Sequence, residues 1–239
     1  MTMTADTTDT TVGREKPIIF SGESVRAILA GRKSQTRRVV KPQPGMEENG
    51  DIHFKWATFY ANGLTYTWDS NGVGGENWQA NDHPKEDKFT EALKRGPANK
   101  FVPYCVGDRL WVRETWAPEA GWDPEWFEET GEKADIVYAA DDDSRERCYL
   151  AKWYSPIHMR RSASRLTLEV TAVRVERLQE ISEADVRAEG IEVVGYGDYP
   201  GEFSGKHLFQ KAWDAINGKT YPWSSSPWVW VIEFQPVTP

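Results

Sequence analysis

The densest run of chemically useful side chains is Gly31-Arg32-Lys33-Ser34-Gln35-Thr36-Arg37-Arg38, with four cations and two hydroxyls in eight residues. Arg suits paired contacts with phosphate oxygens and Lys acts as a compact charge, so this cluster can neutralise a nucleic-acid backbone through Arg32, Arg37 and Arg38. A second basic stretch holds Lys152, Arg160, Arg161 and Arg165, with no acid between 152 and 165. Arg113-Glu114-Thr115-Trp116 sets a guanidinium and an indole at the end of an expected strand, a combination able to hold phosphate and stack on an unpaired base. Trp153 is a further stacking candidate, whereas Trp111 beside Leu110 is expected in the core.

Other chemistries find no support. No phosphate loop, dinucleotide fingerprint or zinc-protease helix occurs, and Gly72-Val73-Gly74-Gly75 lacks the flanking strand and helix that would give it meaning. His53, His83, His158 and His207 have no ligand spacing, so neither a metal nor a cofactor is expected. Cys105 and Cys148 form no CxxC pair. Lys plus Arg total 29 against 37 Asp plus Glu, a net charge of -8, which argues against whole-surface nucleic-acid coating and leaves room for a local basic cleft. Positions 119–146 are strongly acidic and read as a solvated loop face. Aromatic residues reach 13% with 12 Trp, and most are expected to anchor core and loops.

The elements that must position these groups follow from periodicity. Ser24 to Gly31 reads as a helix with Val25, Ile28 and Leu29 on one face, Ser24 at its start and Gly31 at its end. Thr36 to Val40 is then a strand stopped by Pro42 and Pro44. Residues 43–100 show no sustained period and form an expected excursion with short local structure. Gly107-Asp108 supplies a turn before the strand Arg109–Arg113, and Ile136 to Ala140 is a short strand. Arg165 to Arg177 is the strongest strand signal: Leu166, Leu168 and Val170 share a face, and the phase changes before Val173 and Val175, predicting a bulge at Thr171-Ala172. Ser182 to Glu189 carries a capping signature and ends at Gly190. A longer helix over 204–217 places Leu208, Phe209, Trp213 and Ile216 on one stripe, and Trp228 to Phe234 reads as a central strand. This order predicts an α+β fold with a curved β-barrel and flanking helices. Residues 1–16 are an expected disordered lead-in, and 17–239 a single domain with insertions at about 43–100 and 117–160. The lead-in has no basic start or apolar centre and the longest apolar runs are far below the ~18 residues of a membrane span, so a cytoplasmic protein without a membrane partner is expected.

Gly31-Arg32-Lys33-Ser34-Gln35-Thr36-Arg37-Arg38, preceded by Pro17-Ile18-Ile19-Phe20, resembles the Gly-x-Lys-x-x-Thr-x-Arg opening of the ASCH domain, a relative of the PUA fold. Gly107–Arg113, Leu168–Thr171, Ser182–Glu189 and Val231–Phe234 match further parts of that pattern in order. The insertions and the Trp111–Trp116 run are similar to the larger bacteriophage and prophage members. Small bacterial members remove the acetyl group of N(4)-acetylcytidine with a Lys, a Thr and a Glu. The resemblance carries these roles onto Lys33, Thr36 and Glu189, and implies RNA, single-stranded nucleic acid or a modified nucleoside as partner.

Amide hydrolysis needs an activated oxygen nucleophile, which a Thr hydroxyl or water becomes when a base takes its proton. Lys33 serves as that base only if desolvation and neighbouring arginines lower its proton affinity. Glu189 could accept from the exocyclic amine of cytosine or shuttle a proton to it. Two other classes remain open at this level: a non-catalytic reader of RNA or modified DNA, and a ribonuclease, for which no His pair offers the usual acid and base.

Overall fold

The computed structural model describes residues 13–46, 103–118, 136–141, 152–192 and 204–237, with the backbone of short strands at 52–54, 57–59, 65–66 and 78–79. Most of the acidic stretch, Cys148, His83, the 72–75 glycines and residues 1–12 lie outside the described residues.

Mixed α and β elements are built around one five-stranded sheet. Its members are β1 (Glu15–Ile19), β2 (Gln35–Val39), β8 (Arg109–Arg113), β11 (Thr167–Arg177) and β12 (Trp228–Pro236), in the spatial order β1-β8-β11-β12-β2. Between β2 and β8 run the short strands β3 (Gly45–Met46), β4 (Ile52–Phe54), β5 (Ala57–Phe59), β6 (Thr65–Tyr66) and β7 (Trp78–Gln79), the short local structure expected of the first insertion. β9 (Trp116–Pro118) and β10 (Ile136–Tyr138) form a separate antiparallel pair. β1 runs parallel to β8 and every other pairing in the large sheet is antiparallel. The expected barrel does not close among the described residues: β1 and β2 are the outer members, with no ladder between them. Glu15 and Lys16, assigned to the lead-in by sequence, are instead the first residues of β1, opposite Arg109 and Leu110.

Helix α1 (Gly22–Leu29) buries Val25, Ala27 and Ile28, and full burial of each Val or Ile side chain contributes about 1.5–3 kcal/mol. Its N-cap is Ser21, whose hydroxyl accepts from Ser24 N–H, rather than Ser24 itself. Gly31, at φ 71, ends it as expected. The main core joins Val25 and Ile28 to Ile18, Phe20, Leu110, Val112, Leu168, Val170, Val173, Trp230, Ile232 and Phe234. The β11 register slips between Val170 and Ala172, at the expected bulge, which keeps Val170 and Val173 in this one core.

A second core covers the opposite sheet face. Helix α2 (Glu183–Ala188) and helix α3 (Gly205–Asn217) pack Val186, Phe209 and Trp213 on Leu178, Val229 and Val231. The capping box at Ser182 and Asp185 forms as expected. Ile216, placed on the buried stripe by sequence, is 79% exposed, because only Phe209 and Trp213 of α3 reach the sheet. No helix among the described residues is long and apolar enough to cross a membrane.

Candidate functional site

The turn after α1 and the end of α2 meet at the outer edge of β2. Arg32 and Lys33 N–H both donate to Ala27 O, at 2.8 and 3.1 Å, tying the turn to its helix. Ser34 N–H donates to Ala188 O at 2.9 Å, and Lys33 and Glu189 form an isolated antiparallel bridge. Gly190 makes this approach possible at φ 83: a Cβ there would lie 2.9 Å from Ala27 Cβ and 3.0 Å from Lys33 Cβ.

Two of the three residues implied by resemblance therefore touch. Lys33 Nζ lies 2.7 Å from Glu189 Oε2 and donates to Glu189 O at 2.8 Å, with the side chains only 5% and 6% exposed. Lys33 Nζ also lies 5.8 Å from the centroid of the Phe20 ring. Burial lowers the proton affinity of Lys33 below its ordinary value; Glu189 opposes this, while Arg38 and Arg37 add to it. Thr36 is buried in β2 opposite Ile232, on the strand face it shares with Arg38. Its hydroxyl hydrogen-bonds to no described side chain and so not to Lys33 or Glu189.

Alternation along β2 sends Arg37 to the face opposite Arg38. Its side chain is 1% exposed, packs over the Phe209 ring, pairs with Glu176 and Asp185, and reaches Glu189 Oε1 at 3.2 Å. Arg37 thus fixes one oxygen of Glu189 while Lys33 takes the other, giving the carboxylate a single orientation. Arg174 extends the network to Glu176, Asp185 and Glu233. Burial acts to raise the Asp185 carboxyl, but the Ser182 hydroxyl and N–H, Arg37 and Gln35 together hold it at about 2.

Trp116, the expected stacking residue, is packed in the interior. It is a buried ring stacked on Tyr154, centroids 5.1 Å apart and 25° between planes, in a small core with Met159 and Ala163. Arg113 lies 4.4 Å over the Trp111 ring and donates to Ile157 O at 3.3 Å, and Trp111 is in the core as expected. Arg32 is a surface residue paired with Glu192 at 2.7 Å. Arg160 is exposed, and Arg161 forms a two-bond pair with Glu15 at 3.1 and 3.2 Å. These arginines do not converge with Lys33 through any described contact. Arg38 does: its guanidinium carbon lies 5.4 Å from the same Phe20 centroid, and its Nη2 donates to Ile19 O at 2.7 Å.

Sequence reasoning missed Glu176, Phe20 and Glu114. Glu176 lies in β11, where strand periodicity carries no sign of its pairing with Arg37. Glu114 is 1% exposed and receives two bonds from Arg165, both 3.0 Å, with Arg165 stacked over Tyr138. No spacing signal in Arg113-Glu114-Thr115 pointed to this. Among the described residues no group of His, Cys, Asp and Glu is arranged to hold a metal.

The chain matches no protein-family model, no curated protein and no solved structure. What the site defines is a class: a cation and a carboxylate coupled in low-dielectric surroundings, with an aromatic ring beside the cation.

Proposed function

We propose that this is a nucleobase-directed protein of ASCH type, with a PUA-like architecture, that recognises a modified cytosine and hydrolyses an N(4)-acyl amide on it. One observation carries the reading: Lys33 and Glu189, 156 positions apart in sequence, meet at 2.7 Å in a buried pair whose lysine is depressed in proton affinity. Shifts of this kind in a specific charge pair mark proton-transfer chemistry. In the proposed step Lys33 in its neutral form takes the proton of the attacking hydroxyl, from Thr36 or water, as that oxygen bonds to the acyl carbonyl carbon. The carbon–nitrogen bond then breaks, and the proton passes through Glu189 to the departing exocyclic nitrogen. With water as the nucleophile the products are acetate and cytidine; with Thr36 an acetyl ester forms on its oxygen, which water then hydrolyses to acetate and the free hydroxyl.

Incubation with N(4)-acetylcytidine tests this directly, with cytidine as the expected product. Lys33→Ala and Glu189→Ala are each expected to lower the rate by about 100-fold or more. Full activity in either folded variant overturns the catalytic assignment. The 5% and 6% exposure of the pair favours a second reading, in which it is a structural staple beside a binding surface and no turnover occurs. Absent turnover with retained binding of single-stranded RNA assigns the protein to that class.

A further inference from the structure

Arg38, like Arg113 and Arg177, is a partly buried cation that faces no carboxylate at ion-pair distance among the described residues, and of these three it is Arg38 that borders the Lys33–Glu189 pair. Lys33 faces Glu189; Arg37 faces Glu176, Asp185 and Glu189; Arg165 faces Glu114 and Asp141; Arg174 faces Glu176, Asp185 and Glu233. Arg38 is half-buried and has no carboxylate at ion-pair distance among the described residues. Its one hydrogen bond there goes to a neutral carbonyl, Ile19 O, although a guanidinium carries five donors in a fixed fork. Holding a charge partly out of water without a counter-charge is unfavourable. Burial accordingly lowers its proton affinity, with Tyr104 and Glu189 acting in the opposite direction.

Its position distinguishes it from those two arginines, Arg113 and Arg177. Arg38 reaches from β2 across to the free edge of β1, and the Tyr104 hydroxyl donates to Pro17 O of the same edge at 3.0 Å. Arg38 and Lys33 both lie over the Phe20 ring, so the uncompensated cation borders the Lys33–Glu189 pair. Lys33 is already neutralised by Glu189 and leaves the anion-binding role to Arg38. We propose that this seam between β1 and β2 binds the phosphate of a pyrimidine nucleotide, with Arg38 as its anchor, rather than a free nucleoside.

The pyrimidine half of this assignment rests on the nucleobase-directed reading above; the phosphate half rests on Arg38 alone. Calorimetric titration of the full chain with cytidine, cytidine 5′-monophosphate and inorganic phosphate tests it. The nucleotide is expected to bind about tenfold or more tighter than cytidine, and the gap narrows as salt rises from about 50 to about 300 mM. Arg38→Gln is expected to abolish the gap and Arg38→Lys to keep part of it, since charge survives but the fork does not. Equal binding of cytidine and its monophosphate by the unmodified chain, or no binding of either, overturns the proposal, as does an intact gap in Arg38→Gln. Inorganic phosphate binding as tightly as the nucleotide overturns the nucleotide assignment. The unmodified-chain comparison needs no variant, so a misfolded Arg38→Gln leaves the test intact. Failure of N(4)-acetylcytidine turnover with an Arg38-dependent gap removes the hydrolase reading alone; turnover without such a gap removes this proposal alone.

Discussion

Glu189→Gln isolates the energetic role of the central pair. The substitution preserves volume and one acceptor oxygen while removing the charge that Lys33 and Arg37 both face, at 2.7 and 3.2 Å. Arg37 retains Glu176 and Asp185, so the loss falls mainly on Lys33, whose side chain is 5% exposed. Breaking a buried pair by removing one member costs about 3–5 kcal/mol, and the retained amide oxygen sets the expectation at the lower end, about 3 kcal/mol. Lys33→Met in the same chain removes the orphaned charge and is expected to bring the double variant back to within about 1–2 kcal/mol of the original. Urea unfolding at neutral pH, read at constant m, measures all four corners of the cycle. The sign of the pH dependence adds a second check. A lysine depressed in the folded state releases its proton before the unfolded chain does, so stability rises with pH from the depressed value up to the ordinary lysine value. Without Glu189 the depression deepens, and the Glu189→Gln deficit shrinks as pH rises. A loss below about 1 kcal/mol, or a double variant whose loss equals the sum of the singles, refutes the view that these charges are coupled in a dry site.

Three further outcomes follow from named contacts. Asp185, held at about 2, stabilises the fold above the ordinary aspartate value and loses that contribution as pH falls toward about 2; acid titration of stability should show a step of about 1 kcal/mol, after allowance for solvent screening, absent in Asp185→Asn. Gly190→Ala forces a Cβ against Ala27 and Lys33 at positive φ, and is expected to cost about 1–3 kcal/mol by thermal unfolding and to displace Lys33, with loss of the Lys33-dependent rate; an unchanged midpoint refutes the close approach. Trp116→Ala is expected to cost about 3–5 kcal/mol, whereas the milder Trp116→Phe leaves affinity for single-stranded RNA unchanged in a filter-binding assay; weakened binding by folded Trp116→Phe restores the stacking role.

Much of the local structure was legible because single residues dictate it. Gly31 and Gly190 end helices at positive φ, Ser182 and Asp185 cap α2, and the broken alternation between Val170 and Val173 encodes the β11 bulge. The three-residue site was proposed through resemblance, and two of its members meet; no pattern in the chain alone connects residue 33 to residue 189. The fate of individual arginines was not legible. Arg37 and Arg38 are identical neighbours in sequence, and strand alternation sends one into a cage of three carboxylates and the other to an aromatic ring. Which face is which depends on the long-range pairing of β2 with β12. The surroundings of Trp116 were not legible for a related reason: its stacking partner, Tyr154, lies in the second insertion, where no periodicity announced a structured contact.

The place of β12 in the sheet bears on how the chain acquires its form during synthesis. It fills the gap between β11 and β2, yet it is encoded after both, close to residue 236. Until the ribosome has released it, β2 has no ladder partner and the hydrophobic residues of β11 lack half their cover. β1 waits similarly for β8, some ninety residues downstream. The β1-β8-β11 part of the sheet pairs without β12, whereas β2 joins it only through β12. A ribosome-stalled intermediate ending before residue 228 should leave the β2 segment protease-sensitive, because β12 is the strand that ties it, and with it residue 33, to the sheet.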